Sequence, residues 1–184
     1  MTVNLNVIER QVITESVGRP GPQGEPGTLP QSIYNRGFLY VNGNTQFTQI
    51  TTQDTFTIAT PQSEVLTGFN VGFDHNGNSR LTYIGDEPSW FWAEANACIQ
   101  LDSNNIEVRM RVAKNGQDLN SSCSHTYITG LGSGDRKVDM FSTTPVYLEQ
   151  GDYIETAIGN WTNTDNILVR NMGISLKVAV SGNQ

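Results

Sequence analysis

The chain has 184 residues and a formal net charge of -7, with 36% hydrophobic and 16% charged residues. This length allows one domain of about 150 residues and a short additional segment. The acidic balance leaves no basic stripe for phosphates, so binding to nucleic acid or to an anionic membrane surface is not expected. Neutral polar residues make up most of the remainder, and that composition favours strands and turns over helices.

The beginning of the chain, MTVNLNVIERQ, does not have the pattern of a secretory signal. It lacks a basic region followed by an apolar run, and nowhere do eighteen apolar residues occur together. We therefore expect synthesis and folding in a cytosol. In that reducing compartment, two buried free thiols are the expected state of Cys98 and Cys123.

Residues 1–17 are predicted to form an anchoring arm. Neither a helical nor a strand period persists through MTVNLNVIERQVITESV, so no independent element is expected. Such a segment cannot bury its apolar side chains alone, and we expect it to pack against a partner. The candidate anchoring residues are Val3, Leu5, Val7, Ile8, Val12 and Ile13.

Residues 18–30 are predicted to form a neck, because GRPGPQGEPG places Gly18, Gly21, Gly24 and Gly27 at every third position. Three polyproline II chains wound about one axis need this pattern, since only a hydrogen atom fits at the axis. A run this short cannot form a stable triple helix alone, so a neighbouring element would have to hold three chains together. The alternative is a stiff polyproline II spacer of about 30 Å in a monomer.

The remaining residues, 31–184, are predicted to form an all-β head. The clearest strand is NNIEVRMRVAKNG (104–116), whose apolar and charged residues alternate and which ends in the Asn-Gly pair of a type I′ turn. Before it, WFWAEANACIQL (90–101) places Ala93, Ala95 and Ala97 on one face, which predicts a closely packed neighbour in the core or at a subunit seam.

Nine further strand segments are predicted, separated by turn clusters at roughly ten-residue spacing. This pattern predicts an antiparallel jelly-roll sandwich. The segments are FLYV (38–41), TQFTQI (45–50), TFTIA (55–59), RLTYI (80–84), SHTYI (124–128), KVDMF (137–141), PVYLEQ (145–150), DYIETAI (152–158) and NILVRNMGISLKVAV (166–180).

Three stretches resemble chemical motifs but lack their essential residues. DHNGNS (74–79) begins like a calcium loop, yet the required glycine and the bidentate glutamate are absent. Cys123 and His125 have no second ligand pair, and the glycine-rich segment 130–134 lacks the lysine of a phosphate-binding loop. We predict a polar turn, structural packing and a flexible loop for the three stretches, and neither a metal site nor a cofactor.

The three tryptophans can be interpreted in two ways. Trp161 lies in a polar loop, where an exposed indole could stack on a sugar ring or anchor an interface, so it is a candidate ligand contact. Alternatively, Trp90, Trp92 and Trp161 all fill the sandwich core or a subunit seam.

Four segments together carry a family resemblance: WFWAEANACIQL, NNIEVRMRVAKNG, VYLEQGDYIETAIGN (146–160) and ISLKVAV (174–180). They resemble the trimeric jelly-roll heads of the tumour necrosis factor and complement globular-head type, as found in bacteriophage structural proteins. The resemblance covers residues 35–181 and implies a homotrimer. It departs from collagen-stalked members of this type in the shortness of its collagen-like run.

If the head trimerises, three copies of residues 18–27 are delivered to one axis, which removes most of the nucleation cost of a short triple helix. An arm, a neck and a trimeric head together indicate a non-enzymatic virion structural protein, assembled in the host cytoplasm. The expected role is a phage capsid decoration (cement) protein or short head fibre, bound to the major capsid protein or another shell protein. The alternative is the receptor- or glycan-binding head of a tail fibre or attachment protein, with Trp161 at the glycan.

Overall fold

The computed structural model describes residues 35–61, 65–67, 70–75, 79–101, 103–129 and 136–179. All of them fall within the predicted head. The predicted arm, the predicted neck and the glycine-rich segment 130–134 lie outside the described residues, so the roles expected for them stay predictions.

The described residues form thirteen strands and no helix, which confirms the predicted all-β class. Among them no helix could cross a membrane. The strands are β1 (Arg36–Val41), β2 (Phe47–Thr48), β3 (Thr57–Ile58), β4 (Val65–Thr67), β5 (Phe73–His75), β6 (Leu81–Tyr83), β7 (Ser89–Leu101), β8 (Ile106–Lys114), β9 (Gln117–Asp118), β10 (Ser124–Ile128), β11 (Arg136–Leu148), β12 (Tyr153–Asn160) and β13 (Ile167–Val178).

The strands form two sheets that face each other as a sandwich. Sheet I has the order β11-β7-β13-β1-β4, and β2 pairs with β13. Sheet II has the order β10-β8-β12-β6-β5, with β3 beside β12 and β9 beside β8. Neighbouring strands pair antiparallel throughout, so the predicted antiparallel sandwich is confirmed.

The core lies between the sheets, and β7 shows how the sequence builds it. Side chains alternate across a strand, so one set of β7 residues points inward while the other points to solvent. The inward set is Phe91, Ala93, Ala95, Ala97 and Ile99, each at most 2% exposed. Its three alanines lie in the core, so the core alternative of the sequence prediction is confirmed.

The two long strands of sheet II behave in the same way. The alternating apolar residues of β8 are fully buried against sheet I, and its charged residues face outward. The hairpin after β8 is confirmed too, because Asn115 and Gly116 both have positive φ angles, as a type I′ turn requires.

One predicted boundary is wrong: KVDMF and PVYLEQ are not two strands but parts of the single strand β11. The residues between them are held in strand geometry, since buried Ser142 donates a hydrogen bond from Oγ to the carbonyl oxygen of Ser122 at 2.8 Å. Pro145 is tolerated because β11 is an edge strand of sheet I, with ladder partners on one side.

Three short strands, β4, β5 and β9, were not predicted. Each has two or three residues, too few for an alternating pattern to emerge. They extend the sheet edges and leave the predicted architecture unchanged.

The described chain begins and ends at the same end of the sandwich, which we call the base. Arg36, the first residue of β1, pairs with Lys177 near the end of β13. Lys177 in turn pairs with Trp92, close to the start of β7. The opposite end, which we call the tip, carries the turn 103–105 and the loop 161–166. Any segment that precedes residue 35 therefore joins the head at its base.

Candidate functional site

The outward side of sheet I carries an unusual concentration of exposed aromatic side chains. Eight large hydrophobic side chains of the described residues are 39% exposed or more, and six of them lie on this side. They are Phe38, Phe47, Trp90, Trp92, Phe141 and Tyr147. We call this side the aromatic face. Apolar patches of this kind on one side of a protein mark interaction sites.

Strand register places these rings next to one another. Across β11 and β7, Tyr147 pairs with Trp90, and their ring centroids lie 5.5 Å apart. Pro145 pairs with Trp92 one step further from the base. We call these four residues the basal patch, because they lie at the end of sheet I where the described chain begins and ends.

The centre of the aromatic face combines one aromatic ring with a polar residue and a glycine. Phe141 pairs with Asn96, and Asn96 pairs with Gly173 on β13. A Cβ atom at Gly173 would come within 2.7 Å of the Asn96 amide, so the missing side chain leaves room for that amide to lie along the sheet. The result is a flat surface on which a second apolar surface could pack.

One polar group on this face is already paired. Glu94 accepts hydrogen bonds from Ser175 Oγ at 3.0 Å and from Lys177 Nζ at 3.3 Å. Because its carboxylate has these partners, burying Glu94 beneath another subunit would not leave an unpaired charge.

Cys98 lies on the same face, beside Asp139 of β11. Burial raises the pKa of the Cys98 thiol, and a hydrogen bond to Asp139 raises it further. A raised pKa lowers the thiolate population, which argues for packing and against nucleophilic chemistry. Cys98 and Cys123 are both free thiols, but Cys98 is only partly buried and Cys123 is exposed, so the predicted burial is wrong for Cys123.

The outward side of sheet II also carries aromatic rings. Tyr127 on β10 is exposed there, but the two rings over β12 have partners within the chain. Phe56 and Trp161 pack with centroids 4.7 Å apart. The guanidinium of Arg109 lies 4.5 Å from the Trp161 ring centroid, and that of Arg111 lies 4.4 Å from the Phe56 ring centroid. This side is a closed stack of rings and cations over β12, the strand beneath them.

Trp161, the candidate ligand contact, is therefore half-buried. Its indole also lies above Gly159, where a Cβ atom would approach the ring within 2.7 Å. Its role at a glycan stays a prediction. The core alternative is wrong for Trp90 and Trp92, which are 55% and 48% exposed; a seam location for these two stays a prediction.

The loop that carries Trp161 is held by one buried amide. Asn160 Oδ1 accepts hydrogen bonds from the backbone N–H groups of Thr162 and Asn163, at 2.9 Å and 3.0 Å. Its Nδ2 donates to Asn163 Oδ1 and to the carbonyl oxygen of Asp165. The tip loop is thus fixed in one shape, and it presents Thr162 and Thr164 to solvent.

Two acids at the base of sheet II have shifted pKa values, in opposite directions. Burial raises the pKa of Glu155, against the opposing effects of the Arg80 charge and a hydrogen bond from the Gly116 backbone. Asp152, in contrast, has a lowered pKa: burial alone would raise it, but hydrogen bonds from the Glu149 backbone and from Lys114 outweigh burial. Such pairings are typical of strand ends and turns.

The residues that the structure describes contain no candidate metal site. There, no three His, Cys, Asp or Glu side chains are grouped closely enough to hold an ion. The calcium-like stretch begins within β5 at Asp74, and residues 76–78 of it lie outside the described range.

The comparisons with known proteins found similar folds but no significant match among protein families or curated sequences. Among solved structures, Eiger TNF from S. frugiperda is 12% identical, with 81% of this chain and 96% of that chain covered at a TM-score of 0.50. Murine APRIL at pH 5.0 is 13% identical, with 78% and 99% covered at a TM-score of 0.49.

At these identities the likeness establishes the fold alone, which is a TNF-like jelly roll. The resemblance stated from the sequence is confirmed at that level.

Proposed function

We propose that this TNF-like chain is a non-enzymatic structural protein of a phage particle, assembled as a homotrimer through its aromatic face. Its role is that of a capsid decoration protein or short head fibre. Residues 1–17 bind the major capsid protein or another shell protein, and the head projects from the shell.

The observation that carries this proposal is the aromatic face. Most of the exposed large rings of the described residues lie on one side of one sheet, and burying them is favourable by about 25 cal/mol per Å². A symmetric oligomer buries such a face once in every subunit with a single type of contact. The flat centre at Gly173 and the paired Glu94 suit close packing of this kind.

Three subunits are favoured over two by the glycine triplets of residues 18–27. Only three chains can use glycine at every third position around one axis. Because any segment before residue 35 joins the head at its base, a trimer would bring three such segments to the same end. The arm, which comes before them, would then reach the shell while the tip faces away from it.

The proposal is tested on phage particles purified from the host that carries this sequence. Mass spectrometry should find the protein in particles at a level comparable with shell proteins. Full-length protein should also sediment with shells from which it has been removed, and protein that lacks residues 1–17 should remain in the supernatant while keeping its trimeric mass. Absence from the particles would overturn the structural role. Retention of the truncated protein on shells would overturn the role of the arm.

A second candidate function is recognition of a host surface glycan by the head. The fixed tip loop favours it, because a loop held in one shape by a buried Asn160 loses little entropy when it binds. A glycan array with wild-type protein and with Trp161→Ala tests this candidate. Binding that the variant lacks, with the fold retained, supports it; an array without signal removes it.

A further inference from the structure

The basal patch differs from the rest of the aromatic face in its position. Arg36, the first residue of β1, pairs with Lys177 on β13, and Lys177 pairs with Trp92 on β7. Arg36 and Trp92 therefore lie at the same height along sheet I. Trp90 lies one outward position further toward the base, beyond the first residue of β1. On β13 the ladder continues to that level, since the Ala179 backbone N–H donates to the Trp90 carbonyl oxygen at 2.8 Å. The patch is therefore beside the point where the preceding chain joins the head.

The chemistry of the patch suits a particular type of segment. Trp90 and Tyr147 are tilted rings with their centroids 5.5 Å apart, and Trp92 lies beside Pro145. Grooves lined by aromatic rings bind proline-containing chains in the polyproline II conformation, because that backbone is already extended and loses little entropy.

The chain that precedes β1 contains such a segment. Residues 26–30 read PGTLP, and each proline disfavours the helical conformation in the residue before it. We call residues 26–30 the connector.

The connector can reach the patch of its own subunit. Five residues lie between Pro30 and Arg36, and the six extended Cα-to-Cα steps that join them span up to about 20 Å. The β1 and β7 strands are two strand spacings apart, which is roughly 10 Å. The length of this segment therefore allows it to cross from β1 to the tryptophans.

We propose that the basal patch binds the connector of the same chain, with Pro26 and Pro30 packed against Trp90 and Trp92. The rest of the neck, residues 18–25 with Gly18, Gly21 and Gly24, then leaves the head in a fixed direction instead of swinging from a free linker. In this arrangement the aromatic face has two separate occupants: the connector covers its basal end, and a second subunit covers its centre around Phe141.

The test uses the full-length chain labelled with 5-fluorotryptophan. The three tryptophans give three fluorine resonances, assigned with single Trp→Phe variants. In a Pro26→Ser, Pro30→Ser double variant, the Trp90 and Trp92 resonances should shift toward the solvent-exposed position by more than a linewidth. Trp161 is the internal control and should not move. Pro20→Ser with Pro22→Ser is the matched control, because it removes two prolines further upstream and should leave all three resonances in place.

Repeating the comparison with Phe141→Asp, which is designed to separate the subunits, distinguishes the connector from a second copy. Shifts caused by the connector variant that persist in this background support the proposal. Shifts that follow Phe141→Asp or protein concentration, and not the prolines, overturn it by assigning the patch to the subunit interface. Resonances that respond to neither change overturn it as well, because the patch is then bare. These readouts do not require phage particles, so they can fail or succeed independently of the proposed function.

Discussion

The outer sides of the two sheets both carry aromatic rings, yet the tryptophan of sheet II and the tryptophans of sheet I have opposite relations to the rest of the chain. On sheet II, Phe56 and Trp161 are covered by each other and by two arginines. On sheet I, Trp90, Trp92 and Phe141 are about half exposed. An outward-facing aromatic residue is therefore no sign of a binding surface by itself. What matters is whether the fold already supplies its partners.

The largest expected effect on stability comes from breaking the sheet II stack at Gly159. An alanine Cβ there would collide with the backbone carbonyl of Thr55 and with the Trp161 ring, and backbone cannot move aside cheaply. We expect Gly159→Ala to lower the free energy of unfolding by about 3 kcal/mol, from overpacking. Urea denaturation followed by circular dichroism measures this change.

Gly173→Ala is the matched control on sheet I, because its Cβ would approach only the end of the Asn96 side chain, which can rotate away. Both glycine variants are measured in the Phe141→Asp background, so that the proposed subunit contact does not contribute, and for Gly173→Ala a loss of less than about 1 kcal/mol is expected. Equal losses for the two variants would show that the stack on sheet II is no more sensitive to an added methyl group than the open centre of sheet I.

The next largest difference is expected between a tryptophan on the outer side of sheet II and one on the outer side of sheet I. Trp161→Ala removes the ring that packs against Phe56 and Arg109, and we expect a loss of about 2 kcal/mol in a half-buried position. Trp90→Ala, measured in the Phe141→Asp background on protein that lacks residues 1–30, should change stability by less than about 0.5 kcal/mol, because few contacts within the head are then lost. A large loss for Trp90→Ala in that background would contradict the description of its ring as exposed.

The smallest effect concerns two acids near the base of sheet II. Since burial raises the pKa of Glu155 above its ordinary value of 4.5, the folded protein holds that proton more tightly than the unfolded chain does. Ionised Glu155 is thus destabilising above its raised pKa, and the penalty disappears as the pH falls below 4.5. We expect Glu155→Gln to raise the melting temperature at pH 7 by a few degrees and to have no effect near pH 3.5.

Ionised Asp152 has the opposite effect on stability, because hydrogen bonds from the Glu149 backbone and from Lys114 outweigh burial and lower its pKa. Its stabilising contribution is present above the ordinary value of 3.8 and is lost as the pH falls through the lowered pKa. Asp152→Asn should therefore lower the melting temperature at pH 7. A change of melting temperature in the same direction for both variants at pH 7 would contradict the opposite pKa shifts of the two acids.

Much of the fold could be predicted because β7, β8 and β13 are long and alternate along most of their length. The break proposed within β11 failed because Ser142 is polar, and the sequence alone does not show the Ser122 carbonyl that satisfies its hydroxyl group in the core. The strands β4, β5 and β9 could not be predicted, since their existence depends on the strands with which they pair and not on their own pattern.

The aromatic face could be predicted only in part. Alternation places Trp90 and Trp92 on one side of β7, but it does not say which side faces the core. That choice follows from the opposite set, because three alanines let sheet II approach closely and leave the tryptophans outside. The partner of Trp161 could not be predicted either, since Phe56 lies in a distant part of the sequence.

The measurement that most directly tests the central claim, that the aromatic face joins three subunits, is light scattering on matched variants. Phe141 and Tyr127 are 55% and 57% exposed on the outer sides of sheets I and II, so aspartate introduces the same charge at equally open sites. Wild-type protein and Tyr127→Asp should both have a mass of about 60 kDa, three times the 20.2 kDa of one chain, and Phe141→Asp should fall to about 20 kDa. A wild-type mass of about 20 kDa, or an unchanged trimer in Phe141→Asp with dissociation in Tyr127→Asp, would contradict the claim.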